Sequence, residues 1–271
     1  MSNVIKIGFI GAGNMATAIL NGIIQENLID PDNIYISDID ANRLCTISDS
    51  YHIHTTTDNL EVIQRSHIII LAIKPNVCIS VLNEIKNNIG TEKILLSIIA
   101  GWSTLHLKEY LLPDTKVIRI MPNMPALVNQ GMTAICANKD ISSELFTFVT
   151  SIFKALGKVE IVNEQWMNGI TAVSGSGPAY VYMFIEALAD AAVLQGVPRS
   201  VSYTLAAQTV LGAASMVLST GKHPGELKDA VCSPGGTTIE AVFALEKSGF
   251  RAAVMKAVEV CALKSKSLSE K

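Results

Sequence analysis

The sequence predicts an α/β protein in two parts: a doubly wound parallel sheet in the first half and an all-helical domain in the second half. From residue 6 to residue 161, short apolar runs alternate with stretches of helical periodicity. Such alternation is typical of β-α-β units with parallel strands and helices on both faces of the sheet. After Trp166 the alternation stops, and the pattern predicts helices only. We therefore assign residues 1–163 to the first domain and residues 164–271 to the second.

The composition favours a protein with a large buried core. Of the 271 residues, 49% are hydrophobic and 17% are charged, against a usual charged share of about 25%. We therefore expect extensive burial and an oligomer. The formal net charge is −3 and no basic run occurs, which argues against nucleic acid and anionic membranes as partners.

The cysteines and the first residues indicate a cytoplasmic location. The five cysteines are scattered and lack C-x-x-C spacing, so we expect reduced thiols. The chain reaches a glycine-rich turn at once and has no basic segment followed by a long apolar one, so no secretory signal is predicted. No grouping of histidine and cysteine indicates a metal site.

The first strand leads into a turn that suits a dinucleotide. The apolar run from Lys6 to Ile10 is followed by GAGNMA at 11–16 and then by helical periodicity. In such a strand–turn–helix unit, Gly11 allows the tight turn, Gly13 lets the backbone approach the pyrophosphate, and Ala16 permits close helix–strand packing. The alternative is an ordinary turn that requires positive φ angles.

Asp38 follows the second predicted strand, Ile34 to Ser37. A carboxylate at this place accepts hydrogen bonds from the ribose hydroxyls of NAD and repels the 2′-phosphate of NADP. The alternative role is a cap for the helix predicted from Ala41, although Asp40 serves that purpose equally well. Arg43 lies near enough in sequence to meet a phosphate instead.

The remaining alternation completes the first domain. It predicts strands 68–73, 94–98, 117–121, 132–137 and 158–161 and helices 41–50, 76–88, 103–111 and 142–155. Residues at the carboxyl ends of parallel strands face the ligand crevice of such a sheet. We therefore expect Ala72 to Pro75, Ile98 to Gly101 and Met121 to Asn123 to line the crevice, although ordinary loops explain the last two segments as well.

A helix from Ala179 to Leu194 dominates the second half, followed by helices 199–220, 238–247 and 250–267. Its only charges are Glu186 and Asp190, four residues apart on one stripe, and its other faces are apolar or small. At 1.5 Å per residue it is about 24 Å long, which with its two acids argues against a membrane span. The residues around it are too few to bury it, so we expect a partner subunit to cover it.

The segment SPGGTTIE at 233–240 suggests a site for a small carboxylate. Two glycines and two threonines at a helix start offer free N–H groups and hydroxyls without a positive charge. The alternative is a capping box, with Thr237 as the cap and Glu240 three residues later. Capping alone does not require two glycines, so binding is the favoured interpretation.

Seven segments, spread over nearly the whole chain, form a recognisable series. They are GFIGAGNMA at 8–16, AIKP at 72–75, SGSGPAY at 174–180, EALADAAV at 186–193, HPGELKD at 223–229, SPGGTTIEA at 233–241 and GFRAAV at 249–254. Together they resemble the pyrroline-5-carboxylate reductases. The resemblance implies a Rossmann-type domain and a helical dimerisation domain, in an enzyme that reduces 1-pyrroline-5-carboxylate to L-proline with NAD(P)H. It also implies a homodimer, and a pentamer of dimers as a larger assembly.

The resemblance also implies which residues form the site. The cofactor site comprises Gly11, Gly13, Asn14, Met15, Asp38, Asn59, Ala72, Lys74, Pro75, Ala100 and Glu164. The substrate site comprises Ser176, Ser233, Gly236, Thr237 and Thr238, with Thr171 and Ser176 near the nicotinamide.

At three positions the chain departs from the family. Where Asp38 stands, the family usually has a small or basic residue and prefers NADPH, so both NADP and NAD are retained as cofactors. Met124 and Ser215 stand where the family often has threonine and lysine, which affects local contacts and not the reaction.

The reaction asks little of the protein beyond positioning. A protonated cyclic imine is already electrophilic at C5. We expect loop 233–238 to hold the substrate carboxylate and the Thr238 hydroxyl to bond the ring nitrogen, with Thr171 as the second catalytic candidate. The alternative role for Thr238 is a helix cap.

Two other functions remain as alternatives. A hydroxyacid dehydrogenase of related architecture requires a lysine or histidine acid–base near the start of the long helix, where this chain has SGSGPAY. A non-catalytic dinucleotide-binding sensor has no need of a carboxylate site at 233–238.

Overall fold

The computed structural model describes residues 4–137 and 140–268 and divides into two compact units. The first unit comprises Met1–Ser176 and Cys261–Lys271, and the second comprises Gly177–Val260. The boundary expected at residue 164 therefore lies inside the first unit, because a series of short helices after Ile161 and the end of the last helix belong with the sheet.

The first unit is built on an eight-stranded sheet formed by the described residues. The strands are β1 Ile7–Ile10, β2 Ile34–Ser37, β3 His54–Thr56, β4 Ile68–Leu71, β5 Ile94–Ser97, β6 Lys116–Met121, β7 Gly131–Ala137 and β8 Gly157–Ile161. Their order across the sheet is β3-β2-β1-β4-β5-β6-β7-β8. The order therefore reverses between β1 and β4, and in such sheets ligands bind at the carboxyl ends beside this switch point.

The strands are parallel except at one pair, where the sequence-based prediction of a wholly parallel alternation is wrong. β6 runs antiparallel to β7, with Arg119 opposite Cys136 and Met121 opposite Ala134. The connection from Met121 to Gly131 consists of one short 3₁₀ turn, Met124–Val128, with Asn129 in the left-handed region. A parallel pair requires a crossover of a dozen or more residues, so this short connection returns the chain antiparallel.

Helices cover both faces of the sheet. They are α1 Asn14–Gln25, α2 Ala41–Tyr51, α3 Asn59–Arg65, α4 Cys78–Ile85, α5 Thr104–Lys108 and α6 Ser143–Lys154. The sequence pattern missed β3 and α3, because a three-residue strand with polar side chains shows no apolar run. The helix predicted over 76–88 is shorter than expected and follows a 3₁₀ turn at Pro75–Val77.

The alternation of side chains along the central strand explains the doubly wound form. In β4, Ile68 and Ile70 join one buried cluster, whereas Ile69 and Leu71 join the cluster on the opposite face. Successive strand residues point to opposite faces of a sheet. A strand that is apolar at every position therefore needs a helical layer on each side.

A helical run leads from the sheet into the second unit. It comprises a 3₁₀ turn Glu164–Trp166, α7 Met167–Ile170, a π-helical turn Thr171–Gly175 and α8 Gly177–Leu194. The sequence predicted that a helix starts at the SGSGP segment, but the helix continues through it. Pro178 has no N–H for the carbonyl four residues earlier, and that carbonyl, of Ser174, accepts a hydrogen bond from Asn123 Nδ2 at 3.1 Å instead.

The second unit contains α8, α9 Arg199–Thr220, α10 Pro224–Val231, α11 Thr237–Lys247 and most of α12 Phe250–Leu268. Its buried residues are small, among them Ala189, Ser202 and Ala206, because α8 and α9 pack closely together. Asp190 pairs with Arg199 Nη1 at 2.5 Å across the turn between these two helices.

Large apolar side chains of the second unit are exposed on the isolated chain. They include Tyr182, Met183, Phe184, Leu205, Leu211, Met216, Leu218, Phe243 and Met255. By length and composition alone, the helical stretch 164–194 and Arg199–Thr220 are long and apolar enough to cross a membrane, and little of either is buried within the described chain. The second unit by itself therefore leaves a large apolar surface uncovered.

Candidate functional site

The glycine turn at the end of β1 has the geometry that the sequence predicted. Gly11 has a φ of +96°, and its N–H donates to Ser37 O at 2.8 Å. A Cβ atom on Gly11 would lie 2.6 Å from the carbonyl oxygen of Ala72. A side chain is therefore excluded here both by backbone conformation and by the neighbouring strand end.

Gly13 is a glycine for a different reason. A Cβ atom built on it meets no atom within 4 Å, and its φ of −74° is open to any residue. Gly13 is the N-cap of α1 and supplies no side chain to the first-turn N–H groups. The open space and the uncapped helix start, at Asn14 and Met15, fit a pyrophosphate, whereas nothing in the described chain requires the glycine.

Asp38 lies against this turn and does not cap α2. Its Oδ2 accepts the N–H of Ala12 at 2.7 Å, and its Oδ1 accepts the N–H of Asp40 at 2.9 Å. The cap of α2 is Asp40, which accepts from the N–H groups of Asn42 and Arg43. The capping alternative for Asp38 is therefore wrong, and its carboxylate sits at the carboxyl end of β2, where a ribose would bind.

Arg43 places a positive charge beside Asp38, at the corner formed by the glycine turn and the carboxyl end of β2. Its Nη1 lies 3.6 Å from Asp38 Oδ2, and its side chain is half-exposed whereas that of Asp38 is 10% exposed. The guanidinium partly offsets the negative charge of Asp38. The corner therefore has one mostly buried anion and one accessible cation.

Asn59 and the segment after β4 flank the turn. Asn59 accepts from Ser37 Oγ at 2.7 Å and donates to Glu84 Oε2 at 2.9 Å, which fixes its amide at the carboxyl end of β2. Ala72 is bound to the end of β1 through its N–H and Ile10 O at 2.9 Å. Lys74 is exposed, next to Pro75 in the following 3₁₀ turn, and its amine has no hydrogen bond or ion pair within residues 4–137 and 140–268.

Ala100 stands in the loop 98–103, which follows β5 at the same end of the sheet. Gly101 has a φ of +79°, and a Cβ atom on it would lie 2.7 Å from Leu268 Cβ and 3.0 Å from Ser265 O at the end of α12. This glycine therefore lets the loop pack against the last turn of α12, within the first unit.

Glu164 is engaged in a partly buried polar network. Its Oε1 accepts the N–H of Thr104 at 2.7 Å and lies 3.2 Å from Arg119 Nη1, and its Oε2 accepts a short hydrogen bond from the Thr104 hydroxyl. Arg119 is 5% exposed. Burial lowers the pKa of Arg119, while the hydrogen bond and charge of Glu164 oppose that change. Sequence reasoning did not single out Arg119, because a lone arginine in a strand has no motif.

Thr171 and Ser176 lie on the π-helical turn and just after it. Thr171 is buried, and its hydroxyl donates to Met167 O at 2.8 Å. The Ser176 hydroxyl accepts from Cys261 Sγ at 3.2 Å. π-helical turns inside helices are frequent at functional sites, and Asn123 fixes this one to the end of β6 through the carbonyl of Ser174. The thiol of Cys261 was not expected here.

In the second unit, the loop 233–238 forms an uncapped helix start. Gly235 has a φ of +67°, and a Cβ atom on Gly236 would collide with the Ser233 hydroxyl. The N-cap of α11 is Gly236 without a side-chain cap hydrogen bond, and Thr237 is already the first helical residue. The capping-box interpretation is therefore wrong. The hydroxyls of Thr237 and Thr238 have no hydrogen-bond partner among the described residues, which leaves donors for an anion.

The described residues contain no group of histidine, cysteine, aspartate and glutamate that would hold a metal ion.

Comparisons with known proteins bear on both units. Residues 164–268 match the family described as pyrroline-5-carboxylate reductase dimerisation, and residues 6–101 match the family described as NADP oxidoreductase coenzyme F420-dependent. The chain is 48% identical over 265 residues to the pyrroline-5-carboxylate reductase of Escherichia coli K12, with 98% of each chain covered.

Two further relatives extend the comparison. The chain is 45% identical over 266 residues to the pyrroline-5-carboxylate reductase of Methanosarcina acetivorans, with 98% of each chain covered. The crystal structure of Plasmodium falciparum pyrroline carboxylate reductase with NADP bound has a TM-score of 0.90 and 37% identity, and the match covers 99% of both chains. These matches confirm the predicted fold class.

Proposed function

The chain belongs to the pyrroline-5-carboxylate reductase family, and from this premise we propose that it transfers a hydride from NAD(P)H to C5 of 1-pyrroline-5-carboxylate. The product is L-proline, in the last step of proline biosynthesis. The observation that carries the proposal for this chain is the uncapped start of α11, with two unpaired threonine hydroxyls, in the same molecule as a glycine turn shaped for a dinucleotide.

The first unit would hold the cofactor. The N–H groups at the start of α1 would bind the pyrophosphate, Asp38 and Asn59 would bind the adenosine ribose, and the ends of β4 and β5 would hold the rest of the dinucleotide. When bound, the reduced nicotinamide supplies the hydride. Thr171 and Ser176 lie on either side of Ser174, whose carbonyl is bound by Asn123 at the end of β6.

The loop of the second unit would bind the substrate. Backbone N–H groups after Gly236 and the Ser233 and Thr237 hydroxyls hold the carboxylate. The Thr238 hydroxyl bonds the ring nitrogen, which changes from a protonated imine to an amine as the hydride arrives. Hydride transfer requires the acceptor carbon to be held about 3–3.5 Å from the donor carbon, so orientation is the main catalytic contribution of the protein.

A Thr238→Ala variant tests the role of this hydroxyl. We expect kcat/KM for the imine to fall about 100-fold, the usual cost of losing a positioned donor in an active site, with an unchanged melting temperature. Thr238→Ser should restore most of the activity because it keeps the hydroxyl. Thr220→Ala is the matched control, because the Thr220 hydroxyl donates to Met216 O and accepts the Lys222 N–H at the end of α9. Normal kinetics of Thr238→Ala would remove the proposed role.

The reaction itself is tested by following nicotinamide absorbance with pyrroline carboxylate, then with a 2-hydroxy acid, then with neither. Turnover with the imine alone supports the proposal. Turnover with the hydroxy acid would indicate a hydroxyacid dehydrogenase, and tight dinucleotide binding without turnover would indicate a sensor.

We further propose that NADH is preferred over NADPH, because the Asp38 carboxylate lies where a 2′-phosphate would bind. Replacing Asp38 by serine should shift the ratio of kcat/KM values toward NADPH by about tenfold or more, since a charge repulsion of 1.4 kcal/mol corresponds to a factor of ten. Arg43→Ala should shift the ratio toward NADH, because it removes the accessible cation. An unchanged ratio in Asp38→Ser would refute this preference.

The exposed apolar faces of the second unit support a homodimer in which a second copy covers them. The match of residues 164–268 to a dimerisation family supports the same assembly. The pentamer of dimers and the cytoplasmic location stay predictions.

A further inference from the structure

Arg119 is a buried charge that the proposed reaction does not use. It lies within β6 at 5% exposure, and Glu164 provides its only ion pair among the described residues. A buried ion pair is weak support for stability, because apolar residues of similar volume often serve as well or better. The presence of the Arg119–Glu164 pair therefore has a reason other than stability, and the contacts of Glu164 indicate what that reason is.

The hydrogen bonds of Glu164 link Arg119 to the start of α5. Arg119 Nη1 lies 3.2 Å from Glu164 Oε1, and the same carboxylate binds both the N–H and the hydroxyl of Thr104. Three of the hydrogen bonds that Glu164 accepts thus come from two residues on separate elements. Thr104 is the first residue of α5 and directly follows the loop 98–103.

The loop 98–103 is held at both ends. At its start, the Ile98 N–H donates to Leu71 O at 3.3 Å, and Gly101 packs against the last turn of α12. At its end, the N–H and the hydroxyl of Thr104 both donate to the carboxylate of Glu164, and Ser103 caps α5. Without Arg119, the position of that carboxylate would rest on Thr104 alone among the described contacts.

We propose that Arg119 is a positioning residue for the dinucleotide. It fixes the carboxylate of Glu164, which in turn fixes Thr104 and the shape of the loop that carries Ala100. Arg119 does not touch the cofactor itself. The inference rests on the proposed function, since it takes Ala100 and its loop as part of the cofactor site. It predicts that loss of Arg119 weakens dinucleotide binding more than substrate binding.

The test separates positioning from stability by replacing the whole pair. Arg119→Met alone leaves the Glu164 carboxylate without its cation, which often destabilises a protein strongly. The double variant Arg119→Met, Glu164→Leu removes both charges and keeps similar volumes. We would purify the full-length variant and measure its melting temperature, its Kd for NADH and NADPH by fluorescence quenching, and its KM for both substrates.

We expect the double variant to melt at or above the temperature of the unchanged protein, while its Kd for both dinucleotides rises about tenfold or more, as misplaced active-site groups typically cause. The KM for the imine should change less than about twofold. A stable double variant with unchanged dinucleotide Kd would overturn the proposal. Lys116→Met is the matched control, because Lys116 lies on the same strand and its side-chain amine has no hydrogen bond or ion pair within the described residues.

A second variant leaves Glu164 in place, since Glu164 is itself a candidate residue of the cofactor site, and it also covers the case in which the double variant does not fold. Arg119→Lys keeps the charge but loses the planar pair of donors. A dinucleotide Kd raised in this folded variant supports the proposal, and an unchanged Kd overturns it. Failure of the proposed function is recognised separately, because it would appear as absent imine turnover in the unsubstituted protein, whereas the inference is judged on dinucleotide binding.

Discussion

The two units of the chain differ in the burial of their large apolar side chains. In the first unit, large side chains such as Phe9, Leu96 and Phe153 are fully buried between the sheet and its helices. In the second unit, large side chains such as Met183 and Phe243 are 70% and 65% exposed, and only small residues are buried. Both units are rich in apolar residues, so composition alone does not separate them. What differs is the source of the covering surface, which is the same chain in one unit and another molecule in the other.

A charge on the exposed face of α8 should have the largest effect. Met183→Glu places a carboxylate on the surface that we assign to the dimer, where an unpaired buried charge costs several kcal/mol. We expect a shift from dimer to monomer in analytical ultracentrifugation and a loss of most activity.

The matched control lies in the first unit. Leu112 is also exposed, at 44%, but on a unit that covers its own core. Leu112→Glu should leave the assembly unchanged. If Met183→Glu remained a dimer, the assigned interface would be wrong.

Truncating one phenylalanine in each unit tests whether its side chain is covered by the same chain or by a partner. Phe153→Ala removes a side chain from the core of the first unit and should lower the free energy of unfolding by about 3–5 kcal/mol. Phe243→Ala should cost little in a single folded chain, and its effect should appear as weaker assembly.

Protein concentration distinguishes these two results in thermal denaturation. The loss in Phe153→Ala should be the same at all concentrations, whereas the loss in Phe243→Ala should grow on dilution, because dimer stability follows mass action. Equal behaviour of the two variants would contradict the division of the chain into a self-covered and a partner-covered unit.

The smallest expected effect concerns the thiols of the first unit. Burial raises the pKa of Cys78 from 9.0 to about 12, whereas Cys45 is exposed. Iodoacetamide at pH 8.5 should therefore alkylate Cys45 within the native protein and Cys78 only after unfolding, as read by mass spectrometry.

The Cys78 thiol also affects the stability of the protein at high pH. The Cys78 thiol loses its proton at a higher pH in the folded state than in the unfolded state. The stability that this difference contributes is therefore fully present below pH 9 and is lost as the pH rises through about 12. Rapid alkylation of Cys78 in the native protein would show that the sheet and its helices open more readily than this core implies.

Local signals in the sequence indicated the parts of the candidate site that are continuous in the chain. The glycine turn at 11–16 and the loop 233–238 were both predicted, because a tight turn and a helix start each favour particular residue types at adjacent positions. One interpretation failed because a contact with a distant residue decides it. The SGSGP segment resembles a helix start but lies inside a helix, since Asn123 satisfies the carbonyl that Pro178 cannot, and Asn123 is 51 residues away from Ser174.

The sequence by itself determined the alternation of strands and helices, the dinucleotide turn, the apolar character of α8 and the family of the chain. Each of these depends on residues that are close in sequence. Only the tertiary structure decided that β7 returns antiparallel to β6, that Asp38 bonds the glycine turn, and that Arg119 reaches Thr104 through Glu164. These are contacts between distant segments, whose free energy depends on distance and burial, and neither quantity is encoded in the order of neighbouring residues.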